Sequence, residues 1–253
     1  MAQSPHFSII NHNSSSSDPL LTHNPHELIP LLELESFGED PKNNIQDIPS
    51  PRILSTHLNL LNLPDSVLSS GCRVLYIARN PMDTLVSYWH FFNKPLGFSV
   101  LWTWFMRSSA VGLVVASRIR TVPGGLYFDH VLEYRKEKEK ESLLFLTYEE
   151  LKEDPEKHVK RLAEFLGCSL ASSEIKEIVK KSSYQRLRNL DVNQNGSEKV
   201  HWSGIGFGSF FRQGVVGDWK NHLSPEMVQR LDQIASQKFE GSGLELESIV
   251  RSS

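Results

Sequence analysis

The sequence predicts an α/β fold, a central parallel sheet flanked by helices. Three observations carry this. The runs Arg73–Ala78 (RVLYIA) and Leu143–Thr147 (LLFLT) are short, apolar and rich in strand formers, as buried parallel strands are. Each leads into a helical pattern, and strands alternating with helices imply a parallel sheet covered by helices. The length, 253 residues, suits one α/β domain with a single core or at most two small domains.

Along the chain, residues 1–25 are polar, with the run Ser14–Ser17 and several Asn and His, and are expected to be disordered. Leu28–Leu34 has apolar spacing for a short helix entered at Asn24–Pro25, although Pro30 argues against it. Arg52–Ser55 (RILS) reads as a short strand. After Arg73–Ala78, Asn80 and Pro81 break the strand and start a helix, because Pro is well tolerated at the first helical position; this helix is expected to reach about Phe92. Phe98–Ala116 is about as long as a membrane span. Arg107, Ser108 and Ser109 at its middle would be costly in lipid, so a buried helix is expected there and no membrane partner. Beyond Leu143–Thr147 come helices near Glu156–Leu166, stopped by Gly167, then Ser173–Lys180 and Ser224–Phe239. Asn189–Phe211 reads as a long Gly-, Asn- and Ser-bearing loop, and loops of that length in a compact domain are usually functional or disordered.

Charge narrows the function. With 27 basic and 30 acidic residues the net charge is −3, so no global basic field favours nucleic acid. Any bound anion must be held by a local site. The two cysteines, Cys72 and Cys168, form no C-x-x-C pair, so a zinc site is not expected and metal ligands are predicted to be none. Reduced thiols and a start without a basic-then-apolar signal fit a cytoplasmic protein.

Three local elements carry chemistry. In RVLYIARNPMDTLVSYWHFFNK, Arg79 stands at the carboxyl end of a strand, with Ser87 on the following helix. Carboxyl ends of strands face the ligand crevice in open α/β sheets, and a fixed guanidinium beside a helix suits a phosphate. Taken alone, an Arg after a strand is as readily structural. In FFRQGVVGDWKNHLSP, Arg212, Gln213 and Gly214 lie in a glycine-bearing turn of the kind whose N–H groups form anion nests; a plain surface loop is the other reading. In STHLNLLNLP, His57 follows a short strand, where it could serve as a general base or be purely structural.

Together these elements resemble the soluble sulfotransferases that use 3′-phosphoadenosine 5′-phosphosulfate (PAPS). The plant cytosolic branch is the most similar, through DPLLTHNPHELIP, PSPRILSTHL, RNPMDTLVSYWHF, LFLTYEELKEDP, VKRLAEFLGCSL and VVGDWKNHLSPEM. The resemblance covers most of residues 18–94 and 126–245; residues 95–125 diverge, and residues 26–253 are assigned as the sulfotransferase domain. It implies a P-loop-NTPase-like sulfotransferase fold, incomplete in this chain, and PAPS as co-substrate. It also implies roles. His57 takes the proton of a small hydroxylated acceptor, of the flavonoid, steroid, hydroxyjasmonate or desulfoglucosinolate class. Arg79 and Ser87 bind the 3′-phosphate of the nucleotide, with Arg212, Gln213 and Gly214 as the second 3′-phosphate element. Tyr148, Ser182 and Tyr184 lie on the adenine side.

Two departures bear on activity. The family's 5′-phosphosulfate loop, Y-P-K-S-G-T-T-W, is expected ahead of DPLLTHNP, where this sequence holds FSIINHNSSSS; a catalytically impaired, nucleotide-binding chain is therefore the alternative reading. Gln213 stands where the family usually has Lys, which removes one charge. A kinase-type NTPase is not expected, because no G-x-x-x-x-G-K-[ST] occurs.

Overall fold

The computed structural model describes residues 4–11, 18–33, 48, 50–96, 127–194 and 206–242. The apolar stretch Phe98–Ala116 and all but the first two of residues 95–125 lie outside the described residues. The chain divides into two compact units. One comprises Met1–His57 and Asp154–Gly214, the other Leu58–Glu153 and Val215–Ser253.

The second unit holds the parallel sheet. Strand β1, Val74–Ala78, pairs in parallel with β2, Leu143–Thr147, with Val74 opposite Leu143 and Ala78 opposite Thr147. All five β2 side chains are buried, as an apolar run in a covered parallel sheet should be, whereas β1 is half-buried up to Ala78. The expected strand Arg52–Ser55 is reduced, in the first unit, to a single parallel bridge between Leu31 and Ser55. Its two hydrogen bonds run from Leu32 N to Ser55 O and from Ser55 N to Pro30 O, both 2.8 Å; Pro30 has no N–H to extend the ladder.

Helices cover the sheet unit. Pro81–Leu96 follows β1, about a turn longer than expected, and Tyr127–Lys136 and Pro225–Phe239 pack in the same unit. Met82, Val86, Leu223 and Leu231 form one buried cluster, and burying each such side chain contributes roughly 1.5–3 kcal/mol. Tyr76 stacks on Tyr134 at 4.2 Å, and the Tyr134 hydroxyl donates to Leu58 O at 2.9 Å, tying down the start of this unit. β2 ends in a capping box: Glu150 N donates to Thr147 Oγ1 at 3.2 Å, while Thr147 N donates back to Glu150 Oε2 at 2.8 Å. That reciprocal pair starts the helix Tyr148–Glu153 and turns the neighbouring Glu149 into the interior.

The first unit is helical. Pro155–Leu166 begins where Asp154 Oδ1 accepts Lys157 N at 3.0 Å and stops at Gly167, whose φ of +76° is the left-handed cap. Its buried face, His158, Val159, Leu162 and Ala163, has helical spacing, and Leu162→Ala would cost about 2–5 kcal/mol. The helices Ser172–Lys181 and Tyr184–Arg188 follow. The loop expected over Asn189–Phe211 contains two short helical turns, Asp191–Gln194 and Phe207–Phe210.

The polar start departs from expectation. Instead of disorder, residues 4–10 form a helix with Ile9 fully buried. Asp18 caps the turn Pro19–Leu21, and Leu20 is buried with Leu187 and Phe211. Asn24 joins Asn193 in a buried 2.7 Å hydrogen bond. A few apolar anchors and capping side chains hold residues 4–11 and 18–25, and average polarity does not register them. The helix expected over Leu28–Leu34 is instead Pro25–Leu28, capped by Asn24 and Glu27 and ended before Pro30.

A candidate nucleotide site

Arg79 leaves the end of β1, and the next residue starts a helix. Asn80 Oδ1 accepts Met82 N at 2.8 Å and Asp83 N at 3.3 Å, capping Pro81–Leu96. The Arg79 guanidinium lies 4.7 Å over the Tyr148 ring, and its Nη2 donates weakly, at 3.4 Å, to Val215 O. Its buried Nε has no acceptor among the described residues. An unmatched N–H on a buried cation is costly, and an anion is its natural partner. Ser87 is half-buried, one turn beyond Asp83 on the same face of the helix.

That face also holds the turn Gly217–Trp219 of the same unit. Asp83, 1% exposed, accepts Gly217 N at 2.7 Å and Trp219 N at 2.9 Å. The Arg79 backbone is anchored as well: the Tyr127 hydroxyl donates to Arg79 O, and Asn80 N donates to Glu149 Oε1 at 2.9 Å. Burial holds the Glu149 carboxyl above the ordinary carboxylate range, against the pull of the Asn80 N–H and the Arg79 charge. Burial, reinforced by Glu149, pushes the Tyr127 phenol well up, so it stays a neutral donor. Asp83, Tyr127 and Glu149 were not singled out from sequence. Asp83 lies inside RNPMD and Glu149 inside TYEE, but a motif does not say which carboxylate is buried.

In the first unit, Tyr184 and Gly214 are in close contact. Gly214 has φ +67°, and a Cβ added there would lie 2.5 Å from Tyr184 Cδ2. The Tyr184 ring also sits 6.2 Å from Phe211 and has Arg188 6.0 Å above it. Burial raises the Tyr184 phenol, opposed by the Arg188 and Arg212 charges. Arg212 is half-buried and Gln213 exposed. Ser182 caps the preceding helix, its hydroxyl donating to Ile178 O at 2.6 Å, so that hydroxyl already has a backbone partner.

His57 lies in this unit too, its side chain 49% exposed. The bridge between Leu31 and Ser55 brings Glu33 alongside it. Glu33 Oε1 accepts His57 N at 2.5 Å and is 3.6 Å from the ring Nδ1. Burial alone would raise the Glu33 carboxyl; the His57 hydrogen bonds outweigh it and hold it below its ordinary value. Lys42, a cation upstream of His57, lies outside the described residues. Among the described residues no cluster of His, Cys, Asp and Glu could hold a metal, and no helix is long and apolar enough to cross a membrane.

A conserved-domain profile described as "Sulfotransferase domain" matches residues 4–243, and the chain belongs to that family. The match begins well before residue 26, so FSIINHN lies within the matched domain. Cytosolic sulfotransferase 12 of Arabidopsis thaliana is 38% identical over 250 residues, spanning 96% of this chain and 74% of that protein. Cytosolic sulfotransferase 8 of the same plant is 38% identical over 243 residues, 92% of this chain and 70% of that one. The crystal structure of mouse sulfotransferase SULT7A1 complexed with PAP superposes with a TM-score of 0.69 at 28% identity, covering 92% of this chain and 83% of that one. Retinol dehydratase in complex with androsterone and PAP shares the fold, with a TM-score of 0.68 at 22% identity over 96% of this chain and 78% of that one. The chain is thus of the plant cytosolic sulfotransferase type, a family that uses PAPS as co-substrate.

Proposed function

We propose that this protein transfers the sulfuryl group of PAPS to a hydroxyl of a small acceptor of the flavonoid, steroid, hydroxyjasmonate or desulfoglucosinolate class, in the cytoplasm. The acceptor oxygen bonds to sulfur as the bond from sulfur to the phosphate oxygen breaks, leaving adenosine 3′,5′-bisphosphate. The acceptor proton passes to His57. Arg79 and Ser87 hold the 3′-phosphate, and Arg212, Gln213 and Gly214 contribute a second set of contacts to it. Tyr148, Ser182 and Tyr184 take the adenine side; Tyr in place of the family's more usual Phe still offers an aromatic face.

The observation that carries this reading is Arg79: a half-buried guanidinium stacked on Tyr148, with a buried Nε that lacks an acceptor. Calorimetric titration with adenosine 3′,5′-bisphosphate tests it. Hydrogen bonds to charged groups contribute roughly 1.5–3 kcal/mol each, so Arg79→Ala should weaken binding about tenfold or more. Equal heats from both proteins would remove Arg79 from the site. A panel of hydroxylated acceptors with PAPS then assigns the acceptor class.

A second reading, a chain that binds the nucleotide with little turnover, is favoured by one observation: no Y-P-K-S-G-T-T-W occurs in these 253 residues.

A further inference from the structure

The peptide joining Arg79 to Asn80 is held at both of its polar ends by side chains of its own unit. The Tyr127 hydroxyl donates to the carbonyl, and the N–H donates to Glu149 Oε1 at 2.9 Å. We propose that Tyr127 and Glu149 are positioning residues that fix Arg79 for recognition of the nucleotide's 3′-phosphate. This rests on the reading of Arg79 as a phosphate ligand.

Arg79 stands at a junction, one residue past β1 and two before the helix Pro81–Leu96. Neither element's own ladder ties both ends of the peptide that follows it. If that peptide plane turned, the Arg79 Cα–Cβ bond would turn with it, and a side chain as long as arginine would magnify the error at its tip. Tyr127 and Glu149 oppose the rotation from opposite ends. The same segment supports the side chain, since Tyr148, under the guanidinium, immediately precedes Glu149.

Stability alone does not account for Glu149. It is 2% exposed, and its Oε2 is buried with no hydrogen-bond partner among the described residues. A half-satisfied buried carboxyl is costly, and an apolar side chain of similar volume would be the cheaper filling. Its one satisfied oxygen is spent on the amide that follows Arg79. Tyr127, half-buried, directs its hydroxyl to the carbonyl of the same peptide.

The test uses the full chain with Tyr127→Phe, Glu149→Met, Glu149→Gln and Arg79→Ala, each titrated with adenosine 3′,5′-bisphosphate and with adenosine 5′-monophosphate. The ratio of the two affinities isolates recognition of the 3′-phosphate. Tyr127→Phe and Glu149→Met should each lower the bisphosphate affinity roughly three- to tenfold, the range for one hydrogen bond, and leave the monophosphate affinity unchanged. Glu149→Gln keeps an acceptor oxygen for Asn80 N–H and should keep the wild-type ratio. An equal fall for both nucleotides in Tyr127→Phe would overturn the proposal, since that is general damage to the fold. So would an unchanged ratio in Tyr127→Phe while Arg79→Ala lowers it. If Arg79→Ala leaves the ratio unchanged, the phosphate reading of Arg79 fails and the proposal falls with it. Should Glu149→Met not fold, Tyr127→Phe alone decides.

Discussion

The carboxylate of Asp83 accepts the backbone N–H of Gly217 at 2.7 Å across 134 positions of sequence, and its other oxygen takes Trp219 N at 2.9 Å. One buried side chain on the helix after β1 therefore shapes the turn Gly217–Trp219. Asp83→Ala would leave both N–H groups without this acceptor. Leaving such a donor without its acceptor costs about 1–3 kcal/mol. Urea unfolding followed by tryptophan fluorescence should record a loss in that range; a loss no larger than that of an exposed substitution would show that water replaces the carboxylate.

Gly214 is expected to tolerate no side chain. Its φ is +67° and an added Cβ would meet the Tyr184 ring at 2.5 Å. Gly71 is the internal control: its φ is +72°, but nothing lies within 4 Å of an added Cβ. Gly71→Ala should cost only the left-handed backbone penalty, roughly 1–2 kcal/mol. Gly214→Ala should cost more and also weaken adenosine 3′,5′-bisphosphate binding, because Tyr184 or the loop must move. Equal costs with unaltered binding would show that Tyr184 yields freely.

Two half-buried or buried carboxyls should move stability with pH in opposite directions. The folded Glu33 carboxyl lies below its ordinary 4.5, because hydrogen bonds from His57 outweigh burial. Its contribution is therefore complete above pH 4.5 and is lost as pH falls through the lowered folded value. Burial holds Glu149 above 4.5, so the folded state keeps a proton that the unfolded state releases; that contribution is present below pH 4.5 and is lost as pH rises. Urea midpoints across the acid range check both signs. Glu33→Gln should flatten the acid limb, and the stability of Glu149→Gln relative to the parent should rise from acid toward neutral pH. The reverse trend in either variant contradicts its assignment.

On the second reading, catalysis by the 253-residue polypeptide itself is expected to be slight, although His57 is present. A general base contributes typically ~10²–10⁴ in rate. Stabilising charge on the sulfuryl group and the departing oxygen is usually the larger effect, and in the family it is assigned to the lysine and amides of Y-P-K-S-G-T-T-W. Joining that loop and its flanking strand ahead of Asp18 should raise sulfuryl transfer from PAPS, and His57→Ala should abolish the gain. Equal turnover with and without the loop would show that other groups supply the charge.

The strand pair was legible because β2 is apolar at every position and β1 carries the β-branched and aromatic residues that strands favour. The helix ends at Ser224 and Gly167 were legible because capping is local chemistry. The start of the chain was misread. Ile9 and Leu20 sit in short apolar runs within polar surroundings, and Leu20 is buried against Leu187 and Phe211 far along the sequence. For the candidate site, sequence motifs singled out His57, Arg79, Ser87, Arg212, Gln213 and Gly214 at strand ends and in a glycine turn, and the family resemblance added Tyr148, Ser182 and Tyr184.

By itself the sequence determined the family, the strand-to-helix order and the residue types offered to an anion, because each is written in neighbouring residues. Only the tertiary structure decided that Asp83 grips Gly217 and Trp219, that Tyr127 and Glu149 clamp the Arg79 peptide, and that Glu33 faces His57. Each of these joins residues more than twenty positions apart. No local pattern encodes which buried carboxylate meets which amide; that follows from how the helices and strands pack, and from the cost of leaving either group without a partner.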